Sequence, residues 1–226
     1  MKLKKMAEDH KKLFEIFAFV YSKCLGRNKI KVKNGNELMC RRVLMQRCRI
    51  EIHGRGNKIT IGSLARLYDC NIQIYGNDNS VILGENIYLN QVQLYMEDDA
   101  NLIEIGQGSS IQGKTGLAAI EGTSIRIGKD CLLSGDINFR TGDSHSLLDL
   151  SGKRMNPSKD IEVEDHVWIG TRVLVLKGVL IPEGCVIGAG SLCNKRFEKE
   201  HCIIAGSPAN VVKEDVDWCH ERISIN

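Results

Sequence analysis

The chain has 226 residues and a balanced charge, with 31 lysines and arginines against 28 aspartates and glutamates, a net of +3. This balance argues against nucleic acid as the main partner. Nine cysteines occur without a CxxC pair. Because no secretory signal is recognisable, we expect reduced thiols that act as small apolar fillers in a cytoplasmic protein.

The first predicted element is an amphipathic helix. Its apolar residues fall at helical spacing: Leu13, Ile16, Phe17, Val20 and Cys24. The apolar run contains Glu15 and is too short to span a bilayer. The apolar face either packs against the main body or, because lysines cluster before it, makes a weak contact with a membrane surface. We assign residues 1–49 to this helix and a lead-in.

A repeat of 22 residues follows the helix. Segments of the form aliphatic–x–aliphatic–glycine recur at this period: Ile59–Gly62, Val81–Gly84, Ile103–Gly106 and Ile125–Gly128. Short stretches rich in turn-forming residues lie between them: Gly76–Ser80, Glu97–Asn101 and Glu121–Ser124. Self-similarity at a fixed period indicates a stacked, repetitive architecture.

The repeat is interrupted once. From Ile127 to Val163 there are 36 residues instead of 22, so 14 are inserted in a loop over about 136–160. The inserted segment contains TGDSHSLLDLSGKRMNPSKD. A long loop on a regular scaffold is more often functional than accidental, so we look for the chemistry here.

Beyond the loop the period shortens to six residues. Five successive units begin with an aliphatic residue: Val163, Ile169, Val175, Ile181 and Ile187. Six residues suit one short strand and a turn, and three such units make a triangular coil of 18 residues. The longer period then adds a four-residue excursion at one corner. The sequence therefore predicts an all-β, parallel β-helix of about seven coils over residues 50–213.

His145 is the candidate catalyst of the loop. A histidine can take the proton of an attacking alcohol, and Asp143 or Asp149 could orient its ring. The alternative is a solvated loop residue. His166 lies inside a hexapeptide unit, and we interpret it as structural. Trp168 follows two residues later, beside the loop, where an exposed indole indicates a ligand or subunit contact.

The hexapeptide pattern resembles the left-handed parallel β-helix of the hexapeptide-repeat acyltransferases. The segment RTGDSHSLLDLSGKRMNPSKDIEVEDHVWIG resembles the active-site segment of bacterial capsule and polysaccharide O-acetyltransferases, in particular those of sialic-acid capsules. This resemblance implies that the histidine of D-x-H-S, His145, is the general base, with Asp143 beside it. It also implies that the tryptophan of HVWIG, Trp168, belongs to the active site.

The same resemblance implies acetyl-coenzyme A as the donor, bound in a groove at a homotrimer interface, with no metal. The positions it assigns to the coenzyme are Trp168, Thr171, Ala189, Asn194, Lys195, Ala205, Ser207 and Lys213. Lys195 and Lys213 would pair with phosphate as point charges. The AGSPANVVK element departs from the family pattern at Asn210, where a basic residue is usual, and Arg196 would have to compensate.

The expected function is an acetyl-coenzyme-A-dependent O-acetyltransferase acting on a hydroxyl of a sugar or polysaccharide. An amino-sugar N-acetyltransferase is the alternative, because a histidine base serves either acceptor. A non-catalytic β-helix scaffold is a lesser alternative. A zinc carbonic anhydrase fits poorly, since no second histidine follows His145 at the required spacing. Residues 214–226 are expected to form a tail with a short helix, in which Trp218 is a packing anchor.

Overall fold

The computed structural model describes residues 11–224. It begins with one α-helix, α1 (Lys11–Val20), which continues into a π-helical turn at Tyr21–Leu25. The remainder consists of short strands that wind around a common axis, so that successive strands belong to three different sheets. No helix within residues 11–224 has the length and apolar character needed to cross a bilayer.

The three sheets form the sides of a triangular prism. Sheet 1 contains β1 (Lys29–Val32), β4 (Arg49–Ile52), β7 (Asn71–Ile74), β10 (Val92–Glu97), β13 (Thr115–Ile120), β16 (Asn138–Arg140), β19 (Leu174–Leu176) and β22 (Leu192–Cys193). Sheet 2 contains β2 (Glu37–Cys40), β5 (Lys58–Ile61), β8 (Ser80–Leu83), β11 (Leu102–Ile105), β14 (Ser124–Ile127), β17 (Ile161–Val163) and β20 (Leu180–Ile181).

Sheet 3 completes the prism. It contains β3 (Leu44–Gln46), β6 (Arg66–Tyr68), β9 (Tyr88–Asn90), β12 (Ser110–Ile111), β15 (Leu132–Leu133), β18 (Trp168–Ile169), β21 (Val186–Ile187), β23 (Ile203–Gly206) and β24 (Ala209–Lys213). Neighbouring strands are parallel throughout, except that β24 folds back antiparallel to β23.

Strand pairing reproduces the periods of the sequence. Paired residues are offset by 22 before the loop, by 36 across it and by 18 after it: Ile59–Val81, Ile125–Ile161 and Val163–Ile181. These side chains point into the prism, where each is at most 1% exposed. Burying one such side chain stabilises the fold by about 1.5–3 kcal/mol. The result matches a left-handed parallel β-helix, which confirms the predicted fold class.

The β-helix has about eight turns rather than the about seven expected. The additional coil consists of β1–β3, which pair with β4–β6 and lie in the part of the chain expected to be a lead-in. Lys29, Ile30 and Lys31 of β1 are all exposed, because β1 is the end strand of sheet 1 in the described part of the chain. The aliphatic alternation that marks the later coils is therefore weak here.

The corner between sheets 1 and 2, which we call the loop corner, contains a ladder of buried amides. Asn57, Asn79 and Asn101 are at most 1% exposed. The Oδ1 of each accepts hydrogen bonds of 2.8–3.1 Å from the backbone N–H and side-chain amide of the next asparagine above it, or from the N–H of Thr123 at the top. Thr123 Oγ1 then bonds to Thr141 Oγ1 at 2.7 Å. Because a buried amide without partners is costly, this ladder fixes the path of the corner.

The loop grows out of this same corner. The connections between the strands of sheets 1 and 2 carry the turn-rich excursions at 75–79, 98–101 and 121–123. The inserted loop, residues 141–160, connects β16 of sheet 1 to β17 of sheet 2. The insertion thus enlarges an existing excursion and leaves the other two corners of the coil unchanged.

Helix α1 is amphipathic as predicted, but its apolar stripe faces away from the prism. The helix packs on sheet 3 through the fully buried Ala18, which contacts Leu44. The stripe residues are 42–66% exposed: Leu13, Ile16, Phe17 and Val20. The prediction that this stripe packs against the main body of the same chain is therefore wrong.

The C-terminal helix expected within 214–226 is also absent from the described part, residues 214–224. The segment runs along the prism instead, because tertiary contacts fix it there. The N–H of Val216 donates to the carbonyl of His201 at 2.9 Å, and the indole N–H of Trp218 donates to the carbonyl of His166 at 2.8 Å. Trp218 is only 9% exposed, in keeping with a packing anchor.

Candidate active site

The loop is fastened at its base to the coil below. Glu121, at the loop corner of that coil, accepts a hydrogen bond from Ser158 Oγ at 2.8 Å and forms an ion pair with Arg154 at 2.8 Å. Both contacts lower the pKa of the Glu121 carboxyl. The carbonyl of Thr141 accepts from the N–H of Lys159 at 2.9 Å, which brings the two stems of the loop together.

Asn156 organises the interior of the loop. Its side chain is buried, and its Nδ2 donates to the carbonyl of His145 at 2.8 Å and to Asp143 Oδ2 at 2.7 Å. Its Oδ1 accepts the N–H of Leu147 at 2.7 Å. One buried amide therefore holds the His145 carbonyl, the Leu147 N–H and the Asp143 side chain. Breaking any of these bonds would leave a buried polar group unpaired.

Asp143 ties the loop to the coil above. Its carboxylate forms an ion pair with Lys177, which stands at the loop corner of that coil. Lys177 is the larger cause, and Asn156 the next, of a lowered pKa of Asp143. The carboxylate is thus held ionised and engaged by these two partners. Glu121 and Asp143 together fasten the loop from below and from above.

Asp149 has a local role. Its Oδ1 accepts hydrogen bonds from Ser151 Oγ at 2.6 Å and from the N–H groups of Ser151 and Lys153 at 2.9 Å. These bonds lower the pKa of Asp149 and close a tight turn at the tip of the loop. Of the two carboxylates proposed as orienting groups, Asp149 is engaged in this turn and Asp143 in the contacts to Asn156 and Lys177.

His145 itself is exposed. The preceding residue, Ser144, has a φ of 63°, a left-handed conformation that non-glycine residues seldom adopt, so the chain turns sharply just before the histidine. Within residues 11–224 the imidazole has no hydrogen-bond partner, although the carbonyl of the same residue is fixed by Asn156. The arrangement combines an anchored backbone with an unengaged ring.

The residues assigned to the coenzyme gather at a different corner, between sheets 3 and 1, which we call the donor corner. Thr171 and Ala189 occupy equivalent positions there in successive coils. The carbonyl of Thr171 accepts the N–H of Gly190 at 2.8 Å. A Cβ added at Gly170 would lie 2.7 Å from the N of Ala189, so the two coils approach too closely for any larger residue.

The hairpin of β23 and β24 extends this region. Ala205 pairs with Asn210, and Ser207 lies at the exposed tip. Lys195 Nζ donates to Asn210 Oδ1 at 2.5 Å and lies 5.8 Å from the ring centre of Phe197. The residue at which the family pattern is broken is thus in direct contact with a lysine assigned to the phosphates. Asn194, which precedes Lys195, and Lys213, at the end of β24, are both exposed.

Trp168 belongs to sheet 3 rather than to the loop. Its indole is 39% exposed, on a row of outward positions that continues through Val186 and Ile203 to Lys213. Within one chain the loop corner and the donor corner lie at opposite edges of sheet 1. A side of about six residues spans roughly 20 Å. The chain therefore groups the predicted donor residues with one another and holds Asp143 and His145 apart from them.

His166 lies at the corner between sheets 2 and 3, in a cluster that we call the C-terminal clasp, formed with Asp130, Trp218 and His220. Its Nδ1 is 3.1 Å from Asp130 Oδ2, its Nε2 is 3.0 Å from the carbonyl of Trp218, and its ring stacks on the indole at 4.3 Å. His220 Nε2 contacts Asp130 Oδ1 at 3.1 Å. Burial lowers the pKa of His166, but its bonds to the Trp218 carbonyl and to Asp130 outweigh this and raise it.

Four residues that position the loop were not singled out from the sequence: Glu121, Arg154, Asn156 and Lys177. Glu121, Arg154 and Lys177 are charged residues in loops or turns, like many others in the chain. Their partners are up to 37 positions away. Nothing in their local sequence distinguishes them from solvated side chains. Only Asn156 carries a hint, because it precedes Pro157, which restricts its backbone.

Comparison with known proteins places this geometry among acetyltransferases. No family model matches the chain. A polysialic acid O-acetyltransferase of Neisseria meningitidis is 32% identical over 113 residues, which is 50% of this chain and 53% of that protein. One from Escherichia coli O1:K1 is 31% identical over 96 residues, 42% of this chain and 31% of that protein. The chain thus spans between about a third and a half of the length of these curated relatives.

Solved structures extend the similarity over most of the chain. The crystal structure of the polysialic acid O-acetyltransferase OatWY superposes with a TM-score of 0.82 at 27% identity, covering 87% of this chain and 92% of that one. The structure of NeuO, specific for polysialic acid, gives 0.64 at 25% identity and covers 86% of each chain. In sequence and fold, the protein resembles hexapeptide-repeat acyltransferases of the capsule O-acetyltransferase kind.

Proposed function

We propose that the protein is an O-acetyltransferase that moves an acetyl group from acetyl-coenzyme A to a hydroxyl of a sugar or polysaccharide. One observation carries the proposal: an exposed His145, whose backbone is fixed by the buried Asn156, projects from the loop corner of a β-helix that superposes on a polysialic acid O-acetyltransferase with a TM-score of 0.82. The acceptor of those relatives is a polymer of acidic sugars, and we propose the same class here.

In the proposed reaction a ring nitrogen of His145 accepts the proton of the acceptor hydroxyl as its oxygen attacks the thioester carbonyl carbon. The tetrahedral intermediate then expels the coenzyme as its thiolate, which takes the proton from the imidazolium and becomes the thiol. The new bond is an oxygen ester, and the bond lost is the thioester. A backbone N–H near the carbonyl would stabilise the oxyanion.

Asp143, Asn156 and Lys177 act in this proposal as positioning residues. They hold the backbone of His145 through the carbonyl and the loop stem, and they do not touch its ring. A histidine displaced by about 1 Å can lose a hundredfold in rate. The ion pair to the coil above and the buried amide therefore serve catalysis by restricting the loop.

The complete site would lie between subunits of a homotrimer. Two features support this. The loop corner and the donor corner lie at opposite edges of sheet 1, so a neighbouring subunit is needed to bring a donor groove to His145. In addition, the loop exposes apolar side chains, each at least 59% accessible, that a neighbour would cover: Leu147, Leu148, Leu150 and Met155.

The donor groove would follow the donor corner. Small residues there, such as Ala189 and Ala205, let a pantetheine arm approach the backbone, while Thr171, Asn194 and Ser207 offer polar contacts. Lys195 and Lys213 supply positive charge for the phosphates. Trp168 would line the sheet 3 side of the groove. The free cysteine thiols throughout the chain fit a reducing compartment, so we place the protein in the cytoplasm.

The test is a transfer assay with the purified protein, acetyl-coenzyme A and polysialic acid, followed by mass spectrometry of the polymer. We expect acetyl esters that are released by mild alkali, because esters hydrolyse far faster than amides. An oligosaccharide bearing free amino groups serves as the competing acceptor. Acetyl groups stable to alkali would identify an N-acetyltransferase, and failure of coenzyme A to raise the Tm would indicate a scaffold instead.

A further inference from the structure

The apolar stripe of α1 is an outward-facing surface next to the open end of the prism. Its side chains line a shallow apolar depression of about 330 Å³ with Tyr21 and Leu25. A second cavity of about 730 Å³ lies at the first coil, and its lining includes Ile16 of the stripe as well as Ile30 and Val43. Apolar residues of the helix and of the prism end therefore form one connected surface.

Basic side chains border this surface. Lys23 and Arg41 line the 730 Å³ cavity together with the apolar residues. Lys29 and Lys31 are exposed on β1, the strand at the end of sheet 1. Lys31 also contacts the largely buried Glu51 at 3.2 Å, and 76% of the Lys31 side chain stays accessible.

Charge is divided sharply along the chain. Residues 11–50 contain 11 lysines and arginines and 2 aspartates and glutamates, a net of +9. Residues 51–226 contain 17 and 24, a net of −7. Since the coils stack in chain order, this division follows the prism axis, with the positive end at the first coil. The field of such a molecule orients that end toward a negatively charged surface.

We propose that the N-terminal end of the prism docks on an anionic lipid bilayer, with the α1 stripe inserted at the level of the headgroups. A charged rim around an exposed apolar helix face is the pattern of interfacial helices. A soluble polyanion would satisfy the basic residues and leave the apolar stripe in water. A second copy docked end to end on the stripe would bring one strongly positive end against another.

Docking in this way has a geometrical consequence for the proposed function, although it does not depend on that function. Coils are stacked at about 4.8 Å, so the loop in the sixth coil lies roughly 24 Å from the first. The loop would be held at that height above the membrane, within reach of a polysaccharide anchored at its surface.

The experiment is co-sedimentation of the full chain with sucrose-loaded vesicles, either pure phosphatidylcholine or one third phosphatidylglycerol. We expect binding to the anionic vesicles at low ionic strength, at least tenfold stronger than to the neutral ones, and weaker binding at high ionic strength. Changing two apolar residues of the stripe, Ile16→Ser with Phe17→Ser, should lower binding about tenfold. Reversing two charges, Lys29→Glu with Arg41→Glu, should lower it by more than tenfold.

Matched variants separate this surface from general effects. Ile82→Ser with Ile223→Ser removes apolar side chains that are 41% and 74% exposed elsewhere, and Lys114→Glu with Arg222→Glu makes the same change in net charge. Both controls should bind as the unaltered protein does. The Tm of every variant is measured, because only folded proteins are compared.

Four results would overturn the proposal. Equal binding to neutral and anionic vesicles removes its electrostatic basis, and unchanged binding by the stripe variant removes its apolar basis. A change of molar mass in the stripe variant, measured by light scattering, would show that another copy of the chain covers the stripe. Competition by soluble dextran sulfate that does not depend on Ile16 and Phe17 would identify a polyanion site. Acetyl transfer is not measured, so failure of the proposed function leaves these results intact.

Discussion

The loop corner and the C-terminal clasp place a histidine in opposite situations. At the loop corner the backbone of His145 is anchored by Asn156 and its ring has no partner within residues 11–224. In the clasp the ring of His166 is engaged on both nitrogens and stacked on Trp218. A histidine that transfers protons needs a free nitrogen and a fixed position, whereas one that fastens chain segments uses both nitrogens for that purpose. This difference supports the proposal that His145, rather than His166, is the general base.

The sharpest way to break the comparison is to remove each histidine. His145→Ala should lower kcat by about 10²–10⁴-fold, because it removes the general base. His166→Ala should change kcat by only a few-fold, since its ring serves the clasp. Steady-state kinetics with saturating acetyl-coenzyme A measures both. Coenzyme binding by the His145 variant should be unchanged; a fully active His145 variant beside an inactive His166 variant would reverse the assignment.

The next largest effect should come from the anchor of the loop. Asn156→Ala removes the donor to the His145 carbonyl and the acceptor for the Leu147 N–H, so we expect a loss of roughly 10–100-fold in kcat. Asp143→Asn, which weakens the pair with Lys177, should cost about tenfold. Asp149→Asn is the control, because its bonds close only the turn at the tip. Single-turnover rates that fall equally in all three variants would indicate a general loosening of the loop rather than positioning of His145.

Much of the fold follows from the sequence because strand periodicity is local information. The offsets of 22, 36 and 18 between paired residues can be read from the aliphatic positions alone. The first coil is hard to recognise because, among residues 11–224, no strand stacks below it, so β1 carries exposed lysines. The predicted C-terminal helix is absent because Trp218 and Val216 are held by residues of distant coils. Helical periodicity identified the stripe of α1 correctly, but periodicity does not tell which side of a helix meets the protein.

The site was predictable only in part, for a similar reason. His145 stands out because a lone histidine interrupts a regular repeat. Glu121 and Lys177 do not stand out, because each becomes important only when the loop closes onto the coils below and above it. Contacts of this kind depend on three-dimensional stacking, which a linear pattern of charged residues does not encode.

Substitutions at the donor corner should have a moderate effect. They should weaken coenzyme binding and leave the chemical step unchanged, in contrast to substitutions at the loop corner. Lys195→Ala and Lys213→Ala should each raise the KM for acetyl-coenzyme A about five- to tenfold and leave kcat almost unchanged, because phosphate contacts act equally in ground and transition states. Asn210→Lys restores the base usual at this position and should lower the KM. An unchanged KM in both alanine variants would contradict the assignment of the groove.

The smallest expected effect concerns the clasp and its dependence on pH. The folded-state pKa of His166 is raised, so its charged form stabilises the fold. This contribution is fully present below the unfolded value of about 6.5 and is lost as the pH rises through the higher folded value. The groups that face the ring are Asp130, Asp217 and the carbonyl of Trp218, with His220 on the far oxygen of Asp130.

His166→Gln keeps the polarity of the side chain and removes the titration. The variant should therefore melt about 1–3 °C below the unaltered protein near pH 5.5, and the difference should shrink near pH 8.5. Asp130→Asn provides the control, because without its carboxylate the charged imidazole loses an opposite charge and the pH dependence should be smaller. Calorimetry of the three proteins at both pH values measures the six melting temperatures. A difference that grows with pH would mean that neutral His166 is the form that fastens the clasp, and the contrast with His145 would then rest on geometry alone.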